Sequence, residues 1–306
     1  MTRFALLTSA AIVLAPTLAH AEMPPGLYSD FEIRVAAVDG DNFADLQTTF
    51  TVDGTVRYTF SGTNFGVGLD TLLVSEFDDF DNRLDYYNLY AFYEFGGGVL
   101  SFGETASAID LIDMDRRISL PETFDVQLGT NFLGPFINGF YLQDDAQAYG
   151  LTYEGSFDAL QVAASVHYLD DFEEWVYAAA VDYAVSQQVN LLAGFEAISV
   201  DGVDPRLWLG LAATFGDFDA EVMVRTGDTP FVGDATVYTA DLYYNVPTID
   251  DLRIGATVLH LDGPGSDDTL YGVGFEYNAF RNFGIEGNFS TTDGDNTFGL
   301  EAFVRF

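Results

Sequence analysis

The chain has 306 residues, with 48 Asp and Glu against 11 Arg and no Lys, giving a formal net charge of −37 at pH 7. Without a basic stripe to neutralise phosphates, nucleic acid is excluded as a partner. A hydrophobic content of 48% with 15% aromatics excludes a disordered acidic tail, and the lack of cysteine leaves ordinary packing, a closed sheet or a membrane to hold the fold.

Residues 1–21 read as a signal peptide. Arg3 supplies the basic start, Phe4 to Leu14 the apolar stretch, and Ala19-His20-Ala21 the small-x-small site, so cleavage is expected after Ala21. Residues 22–306 contain no further apolar run of the roughly 18 residues that a membrane-spanning helix needs, which excludes a helical membrane protein.

From there the sequence alternates with a period of two. Phe218, Ala220, Val222 and Val224 oppose Asp219, Glu221, Met223 and Arg225. Phe283, Ile285, Gly287 and Phe289 oppose Gly284, Glu286, Asn288 and Ser290 in the same way. Strands are predicted at 28–38, 49–60, 63–76, 84–96, 98–105, 147–154, 158–169 and 175–185. A second set follows at 188–200, 205–215, 218–227, 235–245, 251–262, 268–278, 283–292 and 297–306, sixteen in all. Most exceed the usual five or six residues or so of soluble sheets and suit a tilted bilayer crossing.

The connections alternate as well. Short turns such as Ser61-Gly62, Gly96-Gly97, Gly155-Ser156-Phe157, Ser186-Gln187 and Gly216-Asp217 interleave with longer acidic loops at 38–46, 77–83, 170–174, 201–204, 227–234, 262–268 and 293–296. Each set therefore belongs to one end of the sheet, the asymmetry of a membrane barrel. The apolar faces of the quoted segments carry no charge, as contact with lipid requires, and aromatic residues such as Tyr58, Phe60, Tyr93, Phe95, Phe215 and Tyr244 gather at strand ends. Unpaired backbone groups in hydrocarbon cost several kcal/mol each, so the last strand must pair with the first. The expected fold is all-β: a transmembrane antiparallel barrel of sixteen strands, wide enough to hold water.

One connection breaks the size pattern. Residues 106–146, between the fifth and sixth strands, include Ser107 to Arg117, which could form a short helix, and the apolar run Phe132 to Phe136. Its apolar residues need shelter while its carboxylates can line water, so inward folding is expected, with an outward excursion as the alternative.

With its leader, its strands along the whole of residues 22–306, its long loop after strand 5 and its ending LEAFVRF, the chain resembles the sixteen-stranded general porins of Gram-negative bacteria, the alphaproteobacterial type in particular. That resemblance implies a passive channel in the outer membrane for small hydrophilic solutes and ions, a loop that constricts the pore, and a homotrimer in contact with membrane lipid and lipopolysaccharide. It places Asp110, Asp113, Asp115, Glu122 and Asp125 on the loop side of the constriction, and Arg34, Arg57, Arg206, Arg225 and Arg253 on the wall. Phe306 resembles the signal read by the outer-membrane assembly machinery. The acidic excess adds an expectation of cation preference. A nutrient-selective porin, or a closed barrel serving adhesion or binding, stays an alternative.

No cofactor is required by this reading. Acidic Gly-containing loops around Asp201, Asp204, Asp262, Asp267, Asp268, Asp293 and Asp295 offer oxygen ligands for a structural Ca²⁺, without the full spacing of a dedicated calcium loop. An enzyme is disfavoured: His167 and His260 are the only histidines beyond the leader, and the neighbouring Ser165 need not touch His167.

Overall fold

The computed structural model describes residues 25–40, 47–76, 83–112, 136, 148–229, 233–263, 266–280, 282–292 and 295–306. The expected signal peptide lies outside the described residues.

The alternating pattern forms strands throughout. They are β1 (Leu27–Gly40), β2 (Gln47–Thr59), β3 (Phe65–Glu76), β4 (Arg83–Phe95), β5 (Gly98–Gly103) and β6 (Ala148–Phe157). The series continues with β7 (Leu160–Leu169), β8 (Glu174–Ser186), β9 (Val189–Ile198), β10 (Arg206–Phe215) and β11 (Phe218–Thr229). It ends with β12 (Gly233–Asn245), β13 (Leu252–Gly263), β14 (Ser266–Phe280), β15 (Phe283–Thr292) and β16 (Asp295–Arg305). One helical turn, α1 (Ala108–Leu111), follows β5.

Every strand pairs antiparallel with its sequence neighbours, and β1 pairs with β16, so the sheet closes. Closure gives each backbone group of the seam a partner, the condition for crossing hydrocarbon. The seam runs from Glu32 opposite Arg305 to Gly40 opposite Thr297, and the exchange of backbone hydrogen bonds between Phe31 and Phe306 extends it by one residue pair.

On β10 the two faces sort as the alternation requires. Leu207, Leu209 and Leu211 stand exposed on the outside of β10, while the alternating Arg206 and Trp208 are buried on the inside. Aromatics gather at the short-turn end, where Phe60 stacks on Phe65, Tyr93 on Phe95 and Phe218 on Tyr244, and at the other end, where Tyr168 meets Trp175 and Tyr238 meets His260. Such belts suit rings whose apolar body faces lipid and whose polar edge faces water.

One turn departs from the sequence reading. Gly155, Ser156 and Phe157 belong to β6, and the hairpin turns instead at Asp158-Ala159, with Phe157 opposite Leu160 and Asp158 at φ 49°. Aspartate tolerates the left-handed region that a two-residue hairpin demands. Gly155 pairs with Val162 in the ladder, and its missing Cβ leaves room for the Tyr153 hydroxyl, 2.4 Å from where that atom would stand.

Candidate functional site: the inward loop and the pore wall

β5 is the shortest strand and leaves the wall at Gly103, opposite Tyr90 in the middle of β4. Gly103 has φ +127°, and a Cβ would stand 2.6 Å from the Leu89 carbonyl, so only glycine lets the chain turn away here. The Glu104 N–H donates to the Leu89 carbonyl at 3.0 Å, and the Leu89 N–H donates to Glu104 Oε2 at 3.1 Å. These two bonds satisfy the β4 edge where β5 departs.

The next residues attach to the inner wall. Thr105 Oγ1 lies 2.7 Å from Thr152 Oγ1 and 3.0 Å from His167 Nε2, which is also 2.9 Å from the Thr105 carbonyl. Thr152 donates to the Ala106 carbonyl, and the Ala108 N–H donates to Ser165 Oγ at 3.0 Å. Ser107 caps α1 by accepting from the Ile109 N–H. The apolar side of this turn, Ala108, Ile109 and Ile112, then packs against Ala163, Ala178, Ala180, Leu192, Trp208 and Met223, all on the lumenal face. Three alanines on β7 and β8 leave the space that the turn fills. His167 and Ser165 thus serve to seat the loop rather than to pair as base and nucleophile.

A second attachment comes from Phe136, in the returning part of the same connection. Its N–H donates to Glu196 Oε2 at 2.6 Å, and its ring lies 3.6 Å beneath the Arg206 guanidinium carbon. It packs with Ala148, Leu169, Val176 and Ile198. Both described parts of the connection therefore lie inside the barrel against β6–β10.

Asp110 is exposed on α1; Asp113, Asp115, Glu122 and Asp125 lie outside the described residues. The five candidate wall arginines all take lumenal positions, but they do not form one cluster. Arg34 bonds Glu32 at 2.6 Å, Glu301 at 2.9 Å and Glu286 at 3.2 Å. Arg57 donates to the Tyr90 hydroxyl at 2.9 Å, which donates in turn to Asp70. Arg206 donates to the Asp228 carbonyl, Arg225 packs on Met223 Sδ, and Arg253 pairs with Asp219 at 3.4 Å while lying over Tyr243. The arginines thus meet different neighbours in different parts of the wall, and the cross-strand ones among these are set by register.

The sequence reading missed Glu196, Thr152 and Phe303. Glu196 stands directly opposite Arg206 across β9 and β10, a cross-strand pairing invisible before register is known. Phe303 lies beneath both Arg34 and Arg305, and its ring covers Gly284. Arg305 also donates to Glu32 at 2.6 Å, and Asp30, Glu32, Asp53, Thr55 and Arg305 line an open recess at this side.

A closed sheet with a connection seated against its inner wall has the form of a channel, and the profile of Gram-negative porins matches residues 8–297. The chain belongs to the Gram-negative porin family. Among solved structures, a five-substitution mutant of the Rh. blastica porin is 15% identical with a TM-score of 0.70, covering 92% of this chain and 100% of its own. A triple mutant of the Rhodopseudomonas blastica porin is 14% identical with a TM-score of 0.66, over the same shares of both chains. A search of curated protein sequences finds no significant match. As a porin, the chain is an integral multi-pass barrel of the outer membrane that passes solutes by passive diffusion, without covalent chemistry. Among the described residues, no group of three or more His, Asp or Glu is arranged to hold a metal ion.

Proposed function

We propose that this porin is a cation-preferring diffusion channel for small hydrophilic solutes, narrowed by the connection 106–146. The observation that carries the reading is the pairing of the basic wall. Arg34 and Arg305 stand among Glu32, Glu276, Glu286 and Glu301, so their charge is spent locally. Asp30 and Asp53 remain exposed, with Asp70 partly so, on β1 to β3. α1 seats against the β6 to β9 side of the wall, away from Asp30 and Asp53 on β1 and β2, and Asp70 lines a cavity beside Leu111. Fixed negative charge beside water raises the local concentration of cations and lowers that of anions. Passage still requires that no position hold an ion too tightly.

Reversal potential in an asymmetric KCl gradient tests this directly. A potential of cation-selective sign is expected, and anion selectivity would overturn the charge reading. Replacing Asp30 and Asp53 together with Asn is expected to reduce the cation-to-anion permeability ratio without blocking conductance. Liposome swelling with sugars of graded size separates a general channel from one selective for a nutrient: entry ordered by size supports the former.

In the same reading the porin works as a homotrimer contacting membrane lipid and lipopolysaccharide, which native mass determination tests. Phe306 serves as its assembly signal; the backbone bonds between Phe306 and Phe31 add a role in closing the seam.

A further inference from the structure

Glu196 has a position that solute passage alone does not explain. It is 0% exposed, although it projects from β9 toward the lumen, and its Oε2 accepts the Phe136 N–H. Arg206, its register partner on β10, is 5% exposed and covers the Phe136 ring at 3.6 Å. One residue of the connection is thus held by two opposed wall charges: the carboxylate takes its backbone and the guanidinium takes its ring. The rest of the seat is apolar, formed by Ala148, Leu169, Val176 and Ile198.

We infer that Glu196 and Arg206 form a clasp on Phe136 that fixes how far the returning limb stands from the wall, and so set the size limit of the pore. This inference rests on the reading that the connection narrows the lumen. Ser107 on the outgoing limb also interacts with Glu196, but that limb has wall bonds of its own, to Thr152, Ser165 and His167. Releasing the distal clasp would therefore free one limb while the other stays seated. A buried carboxylate is costly to desolvate, and here its oxygen accepts the Phe136 N–H. Arg206 works through the ring and through its charge, since a cation over an aromatic face is held more firmly once desolvated. Neither residue need touch the solute; both act as positioning residues for the loop.

The test uses full-length porin reconstituted in planar bilayers and in liposomes, with heat-modifiable gel migration as the check that the barrel has formed. Glu196→Ala and Arg206→Ala are each expected to raise single-channel conductance, increase current noise and admit sugars that the wild type excludes. Glu196→Gln, which keeps an oxygen acceptor for the Phe136 N–H, is expected to restore the wild-type size limit. Phe136→Ala keeps the backbone bond but removes the ring, and is expected to fall between. Folded Glu196→Ala and Arg206→Ala barrels with unchanged conductance and size limit would overturn the clasp. So would a Glu196→Gln variant as wide as Glu196→Ala. Deletion of residues 113–135 separates the two readings. If that deletion widens the pore while the clasp variants do not, the clasp alone fails; if a folded deletion barrel keeps the wild-type limit, the narrowing reading fails with it.

Discussion

Arg34 shows how a residue read as pore wall acquires a second role through its neighbours. Its guanidinium reaches Glu32 on its own strand, Glu301 on β16 and Glu286 on β15, so one cation ties three strands across the closing seam. Glu301 is fully buried, and removing the shared cation exposes the uncompensated cost of burying its charge. Arg34→Met is therefore expected to destabilise the barrel by about 3–5 kcal/mol, read from denaturant-induced unfolding in lipid vesicles. Gly284 offers a milder test of the same seam. A Cβ there would meet the Phe303 ring at 2.3 Å, and that ring is pinned beneath two arginines. Gly284→Val is expected to cost about 1–3 kcal/mol by overpacking, in the same unfolding assay. An unchanged midpoint would mean that Phe303 can move aside.

At the scale of elements, the strands were legible and their attachments were not. Sixteen segments with a period of two match β1–β16, most ends agreeing to within two residues, because alternation is imposed by the pleat itself. The turn after β6 falls two residues later than expected because Gly155 looks like punctuation, whereas in the ladder it makes room for Tyr153. The connection after β5 gave its length and its apolar content away, but not its seat. That seat consists of Ser165, His167, Thr152 and three alanines scattered over β6 to β8, which no sequence spacing links. Ser165→Ala removes the acceptor for the Ala108 N–H. It should weaken that attachment by about 1–3 kcal/mol, seen as faster hydrogen exchange at Ala108 with the global unfolding midpoint little changed. Protection equal to wild type would show that α1 is held by its apolar packing alone.

For the whole molecule, closure and charge are the governing facts. Cation preference built from charges beside water must weaken as salt shortens the screening length, from about 10 Å at 0.1 M to about 3 Å at 1 M. Reversal potentials measured at a fixed concentration ratio are therefore expected to shrink toward zero as both sides are made more concentrated. A preference that persists at high salt would point instead to a narrow site where ions shed water. Deleting Phe306 removes the final aromatic together with both of its backbone bonds to Phe31. Membrane insertion should fall in that variant, whereas the barrels that do assemble should keep their ion preference, since Phe306 lies on the outward parity of β16.

The strand count, the lipid and lumenal faces, the asymmetric ends and the one exceptional connection can be read from the order of the residues alone. All of these follow from local periodicity and from the demand that backbone in hydrocarbon be paired. Which charges meet depends on the folded barrel. Arg34 finds Glu286 and Glu301 across most of the chain's length, and Glu196 meets Arg206 through the register of adjacent strands and Phe136 through the inward loop. Side-chain parity is a local property, but the partner across a strand depends on register and closure, and those exist only once the sheet has joined its own first strand.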